Sequence, residues 1–324
     1  MGALLPNVSL THYQQDDFAN LQGRVTDRTV WSYDVPDFKS TRKKLYWRDL
    51  VIPINNSTIS DDESAQNRVW YETEEGGYVY SAGIQPVRTI LNEPQSISLK
   101  GALGEVSVPF SDARLEPDAN AEVAYRVYYE TIHWVKASAI HPVDGSVWYY
   151  LLDDKFDKYY CVPAEHIRII PDAELAPLST NVPDKEKRVE VRLNDQLMLA
   201  YENRNLVFAT RVATGGRLRS GTYTTPSGDF VTFHKRPTRH MAAGDIAASG
   251  FDLPGVPWVL YITKSGISFH GTYWHNDFGR PRSHGCINLT PQAAKWLYRW
   301  TTPTVSPDKE LAYGYVGTKV EIKV

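Results

Sequence analysis

The chain has 324 residues, of which 42% are apolar and 23% charged, and its formal net charge is −3. At roughly 100–200 residues per domain, this length predicts two or three domains, and the composition is that of a globular protein able to bury a core. A near-neutral chain with no long run of one charge argues against nucleic-acid binding, which needs clustered lysine and arginine. No stretch of about 18 apolar residues is present, so we expect no transmembrane helix.

The first strand-rich segment follows a polar N-terminus. Residues 1–20 lack periodicity and are predicted to form an N-terminal tail. In 21–95, short apolar runs such as 69–71 and 78–80 alternate with turn residues. Because several short strands at close spacing are typical of small barrels and sandwiches, we predict one here.

A similar pattern returns in 96–172. The run Val-Trp-Tyr at 69–71 recurs at 147–149. Two further segments, 23–25 and 78–80, are matched by 104–106 and 159–162, in the same order and at a nearly constant offset. Ordered matches of this kind indicate a tandem duplication. The pattern is similar to that of bacterial SH3-like barrels, which implies two such domains in 21–95 and 96–172.

A third domain is predicted to follow a proline-containing linker. Residues 173–187 are predicted to be this linker, and period-two strands begin in 188–324. One helix is expected, with Thr290 as N-cap and Pro291 as its first residue. It must end before Pro303, since proline restricts the residue before it.

The residues that carry chemistry lie just before this helix. His270 is followed, after a spacer, by Ser283-His284-Gly285-Cys286. A cysteine is reactive as the thiolate, and a neighbouring histidine can take the thiol proton while a third group fixes the imidazole tautomer. Gly285 permits close backbone approach, and nearby N–H groups can stabilise an oxyanion. This pattern predicts nucleophilic catalysis by Cys286.

The segment resembles the signature of L,D-transpeptidases with the YkuD-type catalytic domain. That family has a histidine, a spacer, and then Ser/Thr-His-Gly-Cys-hydrophobic-Asn/Arg, which 283–288 matches without a gap. The Thr-Gly at 214–215 and the Thr-Pro-x-Gly-x-Phe at 225–230 match as well. The resemblance covers about 189–324. Together with the barrels, it implies a mainly β fold: two SH3-like barrels and a β-sandwich catalytic domain, 188–324, with a helix after the nucleophile loop.

The resemblance also implies roles for individual residues. Cys286 would be the nucleophile, His270 the general base, and the carbonyl of Gly271 the third member. The other expected site residues shape the site, form the oxyanion hole or contact substrate: His284, Ser283, Gly285, Asn288 and Arg280. Tyr273 and Trp274 are candidates for an aromatic wall of the cleft, and core packing is an equal alternative.

The implied function is peptidoglycan cross-linking. An acyl group from a tetrapeptide stem would pass through a Cys286 thioester to an amine, giving 3-3 cross-links, with no cofactor and no metal. Carbapenems are expected to be covalent inhibitors, and the enzyme is expected to be exported, with its signal outside this sequence. The long segment 239–257 is interpreted as a mobile loop that covers the cleft, and the barrels either target the wall or pack on the catalytic domain.

Several alternatives remain at this point. The protein can be an L,D-carboxypeptidase, a non-catalytic wall-binding protein or a cysteine protease acting on ordinary L-peptides. A zinc site formed by His270, His275, His284 and Cys286 is disfavoured, because no CxxC or HExxH spacing is present. The other cysteine, Cys161, is expected to be an inert barrel residue.

Overall fold

The computed structural model describes residues 18–218, 221–244 and 250–324. The predicted tail, 1–20, lies almost entirely outside them. The chain divides into two compact units. The first holds the described part of Met1–Glu63 with Arg68–Arg88, and the second holds Ser64–Asn67 and Thr89–Val324. The described chain is mainly β, as predicted.

The first unit contains one antiparallel sheet. Its seven strands are β1 Gln22–Val25, β2 Thr29–Tyr33, β3 Arg42–Trp47, β4 Val51–Ile59, β5 Val69–Thr73, β6 Tyr78–Tyr80 and β7 Ile84–Val87. Their spatial order is β3-β2-β6-β5-β4-β1-β7. Alternating side chains of these strands form the core, with Val25, Ile54, Val79 and Ile84 almost fully buried.

A second module, inside the second unit, repeats this arrangement. Its strands are β8 Ala102–Val106, β9 Phe110–Arg114, β10 Val123–Tyr128, β11 Ile132–Ile140, β12 Val147–Asp153, β13 Lys158–Pro163 and β14 Ile167–Ile169. Their order, β10-β9-β13-β12-β11-β8-β14, is that of the first unit with every number raised by seven. Identical strand orders are what a tandem duplication produces. The SH3-like class of the two modules stays a prediction.

The rest of the second unit is built from short strands and one helix. Its elements are β15 Lys187–Arg192, β16 Leu197–Glu202, β17 Asn205–Arg211, β18 Arg217–Leu218, β19 Gly221–Thr222, β20 Gly228–Val231, β21 His234–Ala243, β22 Phe251–Tyr261, β23 Ser268–Gly271, β24 Ile287–Leu289, α1 Pro291–Trp300, β25 Ala312–Tyr313 and β26 Lys319–Lys323.

Two five-stranded sheets enclose the core of this region. Their orders are β17-β16-β15-β26-β20 and β24-β23-β22-β21-β25. One hydrophobic cluster contains Val189 and Met198 of the first sheet, Leu260 and Phe269 of the second, and Leu297 of α1. Because both sheets and the helix share it, this cluster fixes the strands that carry the site.

Helix α1 begins and ends as predicted. The Thr290 side chain accepts a hydrogen bond of 3.2 Å from the Ala293 N–H, and Pro291 is the first helical residue. The cap satisfies one of the backbone donors that a helix start leaves unpaired. The helix ends at Trp300, before Pro303.

The segment predicted to be a long loop, 239–257, is instead mostly a β-hairpin. Strands β21 and β22 pair from His234–Tyr261 to Ala243–Phe251. Arg239 pairs with Val256 and Met241 with Leu253, so Pro254 and Gly255 both lie opposite residue 240. The proline and glycine that indicated a loop therefore form a β-bulge. Residues 245–249, between the two strands, lie outside the described residues.

The predicted linker packs against the part of the second unit formed by the two five-stranded sheets and α1, residues 187–323, which is called the catalytic region below because the expected catalytic domain covers it. Leu175 is only 6% exposed and belongs to the main hydrophobic cluster. The Leu178 N–H donates to the Arg299 carbonyl at 3.0 Å, and Lys295 pairs with Glu174 at 2.7 Å. Burial of Leu175 attaches this polar, proline-containing segment to the core. The composition of the segment did not predict this contact.

The second module also packs directly on the catalytic region. Ile132 and Trp134 belong to the same hydrophobic cluster as the two sheets, and the Ile132 carbonyl accepts a hydrogen bond from the Thr238 hydroxyl. This module therefore packs on the two five-stranded sheets, and a role in targeting the wall stays a prediction.

In the residues described, no helix combines the length and apolarity needed to cross a membrane.

Candidate active site

Two adjacent parallel strands bring the predicted nucleophile and base together. β23 and β24 pair with Phe269 opposite Ile287, and both of these side chains are fully buried in the core. Since side chains alternate between the faces of a strand, Ser268 and His270 lie on the other face of β23. In the same register Cys286 is level with Ser268, so that the three side chains meet on one face.

The Cys286 thiol is half-buried among polar groups. Its Sγ lies 3.6 Å from Ser268 Oγ and 3.7 Å from the Gly266 carbonyl oxygen. Burial alone would raise the pKa of this thiol, but hydrogen bonds from His270 and Ser268, with the charge of His270, hold the pKa below its ordinary value. The site therefore favours the reactive thiolate.

His270 is held in one tautomer. The ring is 3% exposed, and Nδ1 lies 3.1 Å from the Gly271 carbonyl oxygen. A carbonyl can only accept, so Nδ1 carries a proton and Nε2 is the ring nitrogen left for the thiol. A Cβ on Gly271 would stand 2.7 Å from Cγ of Pro257 and 3.0 Å from Cα of Pro291, which explains the glycine.

The nucleophile loop, residues 283–286, is held together by hydrogen bonds of the Ser283 hydroxyl. The Ser283 hydroxyl donates to the Cys286 carbonyl at 2.5 Å and accepts from the Gly285 N–H at 3.1 Å. Gly285 has a φ of +113°, and a Cβ there would lie 2.8 Å from Cδ1 of Ile267. The Gly285 N–H is thus engaged, whereas no acceptor for the Cys286 N–H is found among the described residues.

The upstream motif supports this loop. The N–H and carbonyl of Ala213 exchange hydrogen bonds of 3.0 and 2.9 Å with Asn288. The Thr225 hydroxyl donates to the Gly285 carbonyl at 2.8 Å and accepts from the Gly215 N–H at 2.9 Å. The Thr-Gly and Thr-Pro segments therefore act as backbone supports of the nucleophile.

Asn288 is part of a buried polar pair behind the site. Its side-chain amide lies 3.0 Å from Nε2 of His275, whose Nδ1 accepts from the Asp277 N–H at 3.2 Å. Burial holds the pKa of His275 well below its usual value, so the ring is neutral with its proton on Nε2. Nδ2 of Asn288 faces this nitrogen and Oδ1 of Asn288 lacks a partner among the described residues, so exchanging the two amide atoms satisfies the Nε2 proton.

Two further predicted residues lie at the exposed side of the site. The His284 ring is 4.4 Å from the Tyr223 ring and 5.3 Å from that of Phe251, measured between centroids. Partial burial lowers the pKa of His284, which favours its neutral form. Arg280 is 49% exposed, with Nη1 3.6 Å from the Asp277 carboxylate.

The two candidate wall residues occupy different environments. Tyr273 is 2% exposed, stacks on Tyr128 of the second module at 5.5 Å and donates to the Pro254 carbonyl at 3.0 Å. Trp274 is half-buried, and its ring centroid lies 5.7 Å from that of His270. Trp274 thus lies beside the predicted base, while Tyr273 packs at the junction with the second module.

No group of three or more metal-ligating side chains forms within 18–218, 221–244 and 250–324. The four residues of the zinc alternative instead have other contacts: His275 with Asn288, His270 with Gly271 and Cys286, and His284 with aromatic rings.

Sequence reasoning missed two residues of the site. Thr225 was noted as part of a motif but not as a support of Gly285. Ser268 was not among the predicted site residues. Period-two alternation places 268 and 270 on one face. The parallel pairing that brings Cys286 level with Ser268 had no sequence signal.

A family profile matches the region that carries this site. The profile describes the L,D-transpeptidase catalytic domain, YkuD, and it matches residues 186–322. No curated protein matches the chain.

Similar solved structures align with parts of this chain. A mutant of the Enterococcus faecium L,D-transpeptidase is 22% identical with a TM-score of 0.32, and the match covers 42% of this chain and 49% of that one. The catalytic domain of the E. faecium enzyme acylated by ertapenem is 24% identical (TM-score 0.31; 42% and 96% covered). An L,D-transpeptidase from Mycobacterium smegmatis is 18% identical (TM-score 0.35; 67% and 100% covered). This chain thus aligns with about half the length of the first of these proteins.

Proposed function

We propose that the L,D-transpeptidase catalytic domain at residues 186–322 is a cysteine-nucleophile acyltransferase that forms 3-3 cross-links in peptidoglycan. The observation that supports this most directly is that β23 and the start of β24 place Cys286 and His270 on one face, where His270 is held by the Gly271 carbonyl and lowers the pKa of the Cys286 thiol. A nucleophile, a base and a group that orients the base are the parts that acyl transfer through a thioester requires.

In the first step, Nε2 of His270 takes the thiol proton and Sγ attacks the carbonyl carbon between the L-centre of the stem and its terminal D-alanine. The Cys286 N–H is the backbone donor available to the oxyanion. The C–N bond then breaks, the imidazolium protonates the departing amine, and D-alanine leaves. The acyl group remains on Sγ as a thioester.

In the second step, an amine of another stem attacks the thioester carbon and loses a proton to His270. The C–S bond breaks, the thiolate is restored, and a new amide forms the cross-link. Water in place of the amine gives a carboxylate, which is the L,D-carboxypeptidase alternative. Because both products arise from one intermediate, access of the acceptor decides between them.

The decisive assay uses defined tetrapeptide stems and identifies products by mass. We expect a cross-linked dimer that has lost one D-alanine, no product with Cys286→Ala, and an unchanged yield with Cys161→Ala. Trimmed tripeptide alone would assign the carboxypeptidase, and cleavage of an L,L-peptide would assign an ordinary protease. No turnover of any peptide would leave the wall-binding alternative.

Carbapenem treatment is expected to leave a covalent adduct on Cys286. A thiolate beside a histidine attacks a strained lactam carbonyl as it does a peptide, and the E. faecium domain named above is acylated by ertapenem. Intact mass after incubation with meropenem should rise by one inhibitor, and peptide mapping should place it on Cys286. An unmodified Cys286 would contradict the assignment.

The substrate polymer lies outside the cytoplasm, so we assign the protein to the extracytoplasmic space or the cell wall. The stem peptides of peptidoglycan are its proposed partners.

A further inference from the structure

The hydroxyl of Ser268 faces the proposed nucleophile from a fixed position. Ser268 is fully buried, and its Oγ lies 3.6 Å from Sγ of Cys286. Two pairings set this position: Ser268 is opposite Tyr261 in the antiparallel β22–β23 ladder, and the parallel β23–β24 register brings it level with Cys286. Groups held by strands keep their geometry better than groups on loops.

The direction of this hydrogen bond depends on the charge of the sulfur. A neutral thiol has its own proton, which can be directed to His270 or to the Gly266 carbonyl at 3.7 Å. A thiolate has no proton and can only accept, so the Ser268 O–H must then donate to it. Hydrogen bonds to a charged acceptor are about twice as strong as neutral ones.

We propose that Ser268 is a further catalytic residue, which donates a hydrogen bond from its hydroxyl to Sγ of Cys286 whenever that sulfur carries negative charge. The proposal rests on the function assigned to Cys286 above. Thiolate exists at two points: before attack on the stem, and when the C–S bond of the thioester breaks. At the second of these, His270 has just taken the proton of the attacking amine, and the Ser268 hydroxyl adds a second hydrogen bond to the departing sulfur without transferring a proton.

Three other titratable groups lie near the sulfur or in its loop. Tyr261 on β22 interacts electrostatically with Cys286, and its pKa is raised, chiefly by burial. His270 on β23 is the general base, and His284 in the nucleophile loop has its ring against Tyr223 and Phe251. Ser268 also presents its backbone N–H to the sulfur, and with the hydroxyl it lowers the pKa of Cys286.

The test is Ser268→Ala, with the rate of Cys286 alkylation by iodoacetamide measured against pH. Loss of one hydrogen bond to a charged group should raise the apparent pKa of Cys286 by about one unit, which slows alkylation about tenfold below that pKa. The acyl-enzyme formed with meropenem should also release its acyl group more slowly. Ser268→Thr, which keeps the hydroxyl, should restore the wild-type pKa, and Ser265→Ala, in the adjacent turn, should leave it unchanged.

The outcomes separate this inference from the function on which it rests. If meropenem acylates Cys286 but Ser268→Ala leaves its alkylation profile and acyl release unchanged, the Ser268 proposal is wrong and the nucleophile stands. If the wild type is not acylated and His270→Ala does not change the profile, the proposed function is wrong, and the Ser268 proposal with it. Far-ultraviolet circular dichroism of each variant identifies any that fails to fold, in which case the threonine variant decides: an altered profile there, with the fold intact, overturns the proposal.

Discussion

The two cysteines show how the surroundings of a residue decide its chemistry. Cys161 is fully buried in the second module, and burial raises the pKa of its thiol to about 11. Cys286 is half-buried, and His270 and Ser268 outweigh the effect of burial, so that its pKa is lowered. The same side chain is therefore inert in one place and poised to ionise in the other.

We expect iodoacetamide at pH 7 to label Cys286 and to leave Cys161 unmodified in the folded protein. The thiolate is the nucleophile, and of the two cysteines only Cys286 has a lowered pKa and is incompletely buried. Peptide mapping by mass spectrometry measures both sites in one sample. Equal labelling of the two cysteines under native conditions would show that the environment of Cys286 confers no activation.

Replacement of Gly285 by alanine should disable the site. A φ of +113° disfavours any L side chain, and the new Cβ would meet Ile267 at 2.8 Å. We expect a stability loss of about 1–3 kcal/mol and, because Cys286 is the next residue, carbapenem acylation slowed about a hundredfold.

The matched control is Gly145→Ala. Gly145 also has a positive φ, +73°, but nothing lies within 4 Å of the position its Cβ would take. Gly145→Ala should lower the free energy of unfolding without slowing the acylation of Cys286 by carbapenem. Equal acylation rates for the two variants would argue that the geometry of the nucleophile loop is not critical.

At the scale of elements, the C-terminal end of α1 is stabilised by buried lysines. Nζ of Lys235, a residue 1% exposed, donates to the carbonyls of Tyr298 at 2.5 Å and Thr301 at 2.7 Å. Lys187 donates to the Trp300 carbonyl at 3.2 Å. The carbonyls at a helix end lack partners within the helix, and a nearby ammonium group is favourable there. Burial nevertheless lowers the pKa of Lys235 to about 7.

This lowered pKa predicts how stability varies with pH. Between about pH 7 and 10, the unfolded chain keeps a proton on Lys235 that the folded protein has lost, so the contribution of this residue to the free energy of unfolding rises with pH. As the pH rises through this range, the free energy of unfolding of the wild type should therefore increase relative to that of Lys235→Met, by at most about 1.4 kcal/mol per pH unit.

Urea denaturation at about pH 6.5 and about pH 9.5 measures this difference. Lys185→Met, which removes an exposed lysine nearby, is the control and should show no such trend. A stability difference between wild type and Lys235→Met that is the same at both pH values would contradict the lowered pKa.

At the scale of the molecule, the second module binds the β21–β22 hairpin through ion pairs and hydrogen bonds. Asp154 follows β12, and its carboxylate lies 2.6 Å from Arg239 and 3.1 Å from Arg236 and accepts from the His240 N–H at 2.7 Å. The adjacent Asp153 accepts from the His240 ring at 2.7 Å. Side chains of two modules thus form one buried polar network around β21, and this hairpin lies next to the strand that carries His270.

We expect Asp154→Ala to lower the stability of the second unit by about 3–5 kcal/mol, since it leaves two largely buried guanidinium groups without their carboxylate. Thermal unfolding should remain one transition at lower temperature, because the module and the catalytic region share a core. Hydrogen exchange should increase in β21. Glu122→Ala, which removes an exposed carboxylate from the same module, should change neither. An unchanged melting temperature for Asp154→Ala would show that the network does not couple the two.

The sequence by itself determined the parts that short segments specify. The block 283–288 with His270 predicted the proposed chemistry, because those residue types at that spacing suit nucleophilic acyl transfer. Thr290 and Pro291 fixed the start of α1, since capping depends on immediate neighbours. The repeated order of short strands indicated the duplication that the two identical sheet orders reflect.

Only the tertiary structure decided which distant segments meet. Ser268 becomes a neighbour of Cys286 through strand pairing, and Thr225 supports Gly285 from 60 residues away. The hairpin at β21–β22 was read as a loop because its bulge holds a proline and a glycine, and Asp154 finds its arginines across a module boundary. Register and packing between remote segments depend on the whole set of buried contacts, and no short stretch of sequence carries that information.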